Sequence, residues 1–189
     1  MIPEEELIRA TLGGDKAAFG QLVDRFKDRL YNGMLGVVGN HDEAEDVVQD
    51  TFVQAYLKLH TFQGNSKLFT WLYRIAFNNA LSRQRRKRGE LSIEQSKEVA
   101  GNEPEDASGA PDEGLLRNER VDLVHRAMAM LTEQHRAILV LREMEEASYE
   151  DIALALDINI GTVRSRISRA RNQLKQHLEA LQHNDLSND

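Results

Sequence analysis

One stretch of this chain cannot pack, and it divides everything else. From Leu91 to Gly114 the sequence holds seven acids against one lysine, two of the three prolines and almost no large apolar side chain. Such a segment buries too little surface to offset the entropy lost on ordering, so it is expected to be a flexible acidic linker. On both sides of it the apolar residues recur at helical spacing, and alternating β-branched runs are few. The expected fold class is therefore all-α: two small helical domains over residues 1–90 and 115–182, the linker 91–114 between them, and a disordered tail at 183–189.

The 189 residues suffice for two modest cores. The net charge of -7 at first argues against a nucleic-acid partner, but residues 1–90 are nearly balanced and most of the acidic excess lies in the linker. No cysteine is present, which excludes disulfides and thiolate metal sites and fits a reducing compartment. The opening MIPEEELIRA lacks a basic-then-apolar leader pattern, and no apolar run approaches the roughly 18 to 20 residues that span a bilayer. A cytoplasmic location is the expectation.

The most specific pattern lies in SYEDIALALDINIGTVRSRISRARNQLK, residues 148–175. Ser148 with Asp151 three positions on has the form of a capping box. Ile152, Ala153 and Leu156 share one face, Asp157 to Asn159 break the helix, and Val163 and Ile167 resume the apolar stripe. This is the grammar of a helix-turn-helix. The second helix carries Arg164, Arg166, Arg169, Arg171 and Lys175, interleaved with Thr162, Ser165 and Ser168, and residues 162–176 contain no acid. An ordinary solvated face mixes charge signs for i to i+4 pairing. A run without acids instead suits phosphates and guanine edges in a major groove.

In the first domain, Phe19, Leu22, Val23, Phe26, Leu30 and Met34 form one apolar stripe. A helix from about Asp42 to Leu59 turns Ala44, Val48, Phe52, Ala55, Tyr56 and Leu59 inward and Glu43, Asp46, Gln49, Asp50 and Gln54 outward. Acids in its first turn suit the positive end of the helix dipole. Asp50 and Gln54 lie beyond that reach, so the outer face is a candidate dock for a basic partner. The loop HTFQGNS follows, and then a helix with Leu68, Trp71, Leu72, Ile75, Ala76 and Leu81 toward the core. Its far end, RQRRKR at 83–88, packs five cations into six positions behind Arg74, Asn78, Asn79 and Ser82. The helix dipole offers about 0.3 to 1 kcal/mol per well-placed cation, less than five adjacent charges lose by mutual repulsion, so a polyanion is the better reason for them.

These motifs, in this order, resemble the extracytoplasmic-function sigma factors, the group 4 promoter-specificity subunits of bacterial RNA polymerase. The resemblance rests on GDKAAFGQLVDRF, DEAEDVVQDTFVQAYLKL, FTWLYRIAFNNA and LTEQHRAILVLREMEEASYEDIALALDINIGTVRSRISRARNQL. It implies that the first domain is sigma region 2, with Asp46, Gln49, Asp50 and Gln54 meeting the clamp helices of the polymerase largest subunit. The loop Phe62, Gln63, Gly64, Asn65 and Ser66 would take a flipped base of the minus-ten element. Arg74, Asn78, Arg83, Arg85, Arg86, Lys87 and Arg88 would meet neighbouring bases and duplex; flipping costs only a few kcal/mol and exposes a readable edge. The second domain would be region 4, with Thr162, Arg164, Ser165, Arg166, Ser168, Arg169, Arg171 and Lys175 on the minus-thirty-five element. The flap of the second-largest subunit and an anti-sigma factor are further implied partners. Gln63 and Ser168 depart from residue types frequent in the family, and both bear on which bases are preferred.

A stand-alone helix-turn-helix repressor or activator would use the same C-terminal motif but normally dimerises to set half-site spacing, and has no use for a second basic patch beyond a linker. An enzyme finds little support: the six histidines are scattered, no HExxH or phosphate-cradling glycine loop occurs, and neither metal nor nucleotide cofactor is required.

Overall fold

The computed structural model describes residues 2–94 and 113–186, with side chains placed for 2–87 and 121–183. Among these residues every regular element is helical. Helix α1 (Glu4–Leu12) leads into α2 (Lys16–Val38), which Asp15 caps by accepting hydrogen bonds from the Ala17 and Ala18 amides at 2.8 and 3.2 Å. Gly39 ends α2 in the left-handed region at φ 74°, a conformation open to glycine, and its N–H closes onto the Leu35 carbonyl. Asn40 then caps α3 (His41–Lys58) by accepting from the Glu43 amide at 2.9 Å. A single 3-10 turn, Leu59–Thr61, precedes the loop into α4 (Leu68–Glu94).

The C-terminal part begins with α5 (Glu113–Ala129) and α6 (Glu133–Leu139). From α6 the chain passes through a π-helical turn, Val140–Met144, to α7 (Tyr149–Leu156) and α8 (Ile160–Leu186). The helix-turn-helix forms as its local chemistry requires. Ser148 Oγ accepts from the Asp151 amide at 3.0 Å, and Asp157 stops α7 in the left-handed region at φ 54°. Helix runs past three of the expected boundaries. Helix α4 extends to Glu94 and α5 starts at Glu113, so helix enters both ends of the expected linker, whose residues 95–112 lie outside the described residues. Helix α8 continues to Leu186, where a tail from 183 was expected.

The apolar core is continuous across the two halves. Leu30, Met34 and Val37 of α2, Tyr73 and Ala76 of α4, and Ala137, Ile138 and Val140 are all fully buried within it. Each of the larger aliphatic side chains among them contributes about 1.5 to 3 kcal/mol on leaving water. Close approach depends on two glycines of α2. A Cβ on Gly36 would stand 2.8 Å from Val140 Cγ2, and one on Gly33 would stand 3.3 Å from Tyr73 Cε2. The Tyr73 hydroxyl donates to the Ala137 carbonyl at 3.4 Å, and Arg29 of α2 pairs with Glu145 while its guanidinium lies 3.8 Å over the Phe69 ring.

Candidate nucleic-acid interface

On α8 the buried line Val163, Ile167 and Ala170 turns toward α7 and the core, so the opposite side is solvent-facing. Arg164, Ser165, Ser168 and Arg169 are exposed there, with Thr162 and Arg166 half-buried at the edge. Ser165 Oγ donates back to the Thr162 carbonyl at 3.0 Å. Arg171 and Lys175 do not continue this face. Arg171 forks onto Glu143 Oε1 at 2.6 and 2.9 Å, Lys175 pairs with Glu179 at 3.6 Å, and both border a groove on the other side of the helix.

The first half presents its own set. The Phe62 ring lies 5.5 Å from that of Trp71, which is half-buried against the core as its register predicts. Gly64 turns the loop at φ 72°, and Asn65 donates to Gln63 Oε1 at 3.1 Å, leaving the edges of Gln63 and Asn65 exposed. Asn78, Arg85, Arg86 and Lys87 are exposed on α4, while the Arg88 side chain lies outside the described residues.

Several expected binding groups are engaged within the chain. Arg74 pairs with Asp157 at 3.1 Å, and Arg74, Thr162 and Arg166 line one cleft of about 450 Å³ between α4 and the helix-turn-helix. Thr70 and Lys67 meet the Asp151 carboxylate at 3.3 and 3.9 Å. Groups expected on two separate promoter elements thus face each other, an arrangement of long-range origin that local pattern does not carry.

On α3, Asp46, Gln49 and Asp50 are exposed as expected, but Gln54 is half-buried and donates to Asn79 Oδ1 at 2.8 Å; Asn79 in turn donates to Thr51 Oγ1 at 3.3 Å. Asp46 and Asp50 accept from Arg83 at 2.8 and 2.6 Å, which raises the pKa of that guanidinium, and Lys87 binds Glu43 at 2.7 Å. Sequence reasoning missed Val53 and Leu57, which are 62% and 65% exposed on the same stripe of α3. Their signal was present: two large apolar residues four apart, at positions where the helical pattern calls for polar ones. Exposed apolar surface beside acids is a feature of protein docking faces. Tyr56, expected inside, remains 38% exposed with its ring 5.0 Å from that of Phe19.

Between α2, α5 and α8 runs an apolar groove of about 1170 Å³, floored by Leu35, Val124, Met128, Leu139, Val140 and Leu174. Arg136 borders it while only 7% exposed, 3.7 Å from Glu133, and its Nε has no hydrogen-bond partner among the described residues. Burial lowers the pKa of this guanidinium against the opposing pull of Glu133. Among the described residues no histidine and carboxylate cluster has metal-ligating geometry, and no helix is long and apolar enough to cross a membrane.

The family description Sigma-70 region 2 matches residues 22–90, and Sigma-70, region 4 matches residues 122–174. These two regions define the class as a two-region sigma factor. The RNA polymerase sigma-H factor of Pseudomonas aeruginosa is 37% identical, over 94% of this chain and 95% of that protein. The extracytoplasmic-function sigma factor SigW of Bacillus subtilis is 34% identical, over 92% and 96%. Among solved structures, the Bartonella quintana sigma factor RpoE in complex with the anti-sigma factor NepR superposes with a TM-score of 0.68 at 29% identity, covering 85% of this chain and 96% of that one. CnrH in complex with the cytosolic domain of CnrY gives 0.64 at 26% identity, over 92% and 96%. The chain belongs to the extracytoplasmic-function family of RNA polymerase sigma factors, which direct transcription initiation at promoters. Nothing in these likenesses supports a stand-alone repressor.

Proposed function

We propose that this sigma factor divides its task between three surfaces. The outer face of α3, with Asp46, Gln49 and Asp50 beside Val53 and Leu57, docks the clamp helices of core RNA polymerase; Gln54 supports that face from below through Asn79. The 62–66 loop and the α4 cations engage the minus-ten element and help to open it, base stacking and phosphate attraction acting together. The exposed side of α8 from Thr162 to Arg169 reads the minus-thirty-five element in the major groove, as the second helix of such a motif does. The observation that carries this reading is the presence of two separate acid-poor cationic helix surfaces, Arg85 and Arg86 on α4 and Arg164 and Arg169 on α8, in a chain that is acidic overall. Residues 1–90 and 115–182 act as its two working halves. The protein acts in the cytoplasm as a binding subunit and performs no catalysis of its own.

An anti-sigma factor is the partner we assign to the apolar groove. Of the two structural relatives, RpoE was solved in complex with the anti-sigma factor NepR and CnrH in complex with the cytosolic domain of CnrY. An amphipathic helix fits the groove chemistry, and a carboxylate on its apolar side would meet the unsatisfied Arg136 Nε.

Reconstituted transcription with bacterial core polymerase on a randomised promoter library tests the assignment. Enrichment of two spaced elements, both dependent on this chain, is expected. Failure to associate with core, together with tight binding to an isolated duplex operator, would overturn it.

A further inference from the structure

Two interfaces that ought to be independent neutralise each other. The acids on the outer face of α3 and the cations at the far end of α4 come from opposite sides of the functional division. Arg83 nevertheless spans Asp46 and Asp50 at 2.8 and 2.6 Å, and Lys87 holds Glu43 at 2.7 Å. The two aspartates and the lysine are open to solvent, Asp46 at 59%, Asp50 at 51% and Lys87 at 59% exposed, whereas Arg83 is 31% and Glu43 16% exposed. Ion pairs in that setting contribute little to stability and exchange readily with outside partners. Neighbouring Arg85 and Arg86 make no such pair with the described acids, so the pairing is selective within the basic run.

We infer that Glu43, Asp46 and Asp50 hold Arg83 and Lys87 in an exchangeable charge lock, and that docking a cationic protein face onto α3 frees these two cations for the nucleic-acid backbone. This rests on the proposed reading of α3 as the polymerase face and α4 as a DNA face. An external arginine or lysine brought to these carboxylates meets the like charge of Arg83 at close range, and the two carboxylates cannot neutralise both cations as well as either one alone. Arrival of the partner therefore competes with the internal pairing. Each cation released gains a phosphate to neutralise, so protein docking and DNA binding reinforce each other without any movement of the backbone.

The test uses the full chain and a fluorescein-labelled single-stranded oligonucleotide of mixed sequence, with affinity measured by anisotropy over a salt series. Asp46→Asn with Asp50→Asn should tighten binding and steepen the salt dependence by about 0.7 in log-log slope for one cation released, which is about fivefold in affinity at tenth-molar salt. Asp42→Asn with Glu45→Gln removes the same charge from the same helix at acids that hold no ion pair among the described residues, and should change the affinity less and the slope not at all. In an Arg83→Gln background the first pair of substitutions should do no more than the second. Equal effects of the two acid pairs, or an unchanged advantage without Arg83, would overturn the lock. In a second arm, Arg83→Gln should tighten binding to purified core polymerase and Asp46→Asn with Asp50→Asn should weaken it. If the DNA arm behaves as expected and core affinity moves with neither change, the assignment of α3 to the polymerase fails, and the exchange with it.

Discussion

Gly36 offers a test of the packing between the halves whose sign reverses with background. An alanine there would place its methyl 2.8 Å from Val140 Cγ2, inside the distance real Cβ atoms keep, and Val140 is fully buried. Overpacking of this kind costs about 1 to 3 kcal/mol. Against it stands the gain from replacing glycine inside a helix, about 0.8 to 1 kcal/mol. Gly36→Ala alone should therefore be neutral to destabilising, by up to about 2 kcal/mol. Val140→Ala removes the obstructing methyls at a cost of about 1 to 3 kcal/mol, on the scale of 0.5 to 1.5 per buried methyl lost. In that background Gly36→Ala keeps only its helical gain and should stabilise by up to about 1 kcal/mol. Urea unfolding of the four proteins in the cycle, followed by far-ultraviolet circular dichroism, measures the coupling directly. If Gly36→Ala has the same effect with and without Val140, α2 does not receive the π-helical turn in this way, and the shared core is wrong.

Three further outcomes are expected. Burial pushes the Tyr73 hydroxyl far above the ordinary tyrosine value, with the Glu145 charge adding to it. The unfolded chain then loses that proton near pH 10 while the native state keeps it. Stability is full below pH 10 and falls by about 1.4 kcal/mol per pH unit above it. Tyr73→Phe should abolish this component of alkaline destabilisation in pH-dependent unfolding, and an unchanged alkaline slope would refute the burial. Ser148→Ala removes the cap of α7 and should cost about 1 kcal/mol by urea unfolding, whereas Ser148→Asp should retain most of it; equal losses would deny the cap a role. Arg169→Ala should weaken binding to the upstream element by about 1 to 3 kcal/mol if the side chain reads a guanine. An equal loss on every sequence would make it a phosphate contact instead.

What the sequence disclosed was mostly what neighbours in the chain decide. Ser148, the break at Asp157 and the buried register of Val163 and Ile167 follow from capping, backbone preference and 3.6-residue spacing, all of which act within a few residues. The union of the halves was not legible. Gly33 and Gly36 look like mere weak points inside a helix until Tyr73 and Val140, some forty and one hundred positions away, arrive to fill the space they leave. The site shows the same division. Exposure of Arg164 and Arg169 could be read from periodicity, whereas the diversion of Arg171 to Glu143, of Arg83 to Asp46 and Asp50, and of Arg74 to Asp157 depends on where remote helices land.

The cleft shared by Arg74, Thr162 and Arg166 bears on geometry over a longer range. Elements centred at minus ten and minus thirty-five stand about 25 base pairs apart, on the order of 85 Å of duplex at 3.4 Å per step. Groups on the walls of one small cleft cannot straddle that length, so on the proposed assignment reading both elements would begin with drawing α7 away from α4. Separation would bare the ring of Tyr73 and the notch that seats Val140, greasy surfaces that water solvates poorly. An opened chain needs a new cover for them, and whichever macromolecule supplies it sets how long the two reading heads stay apart.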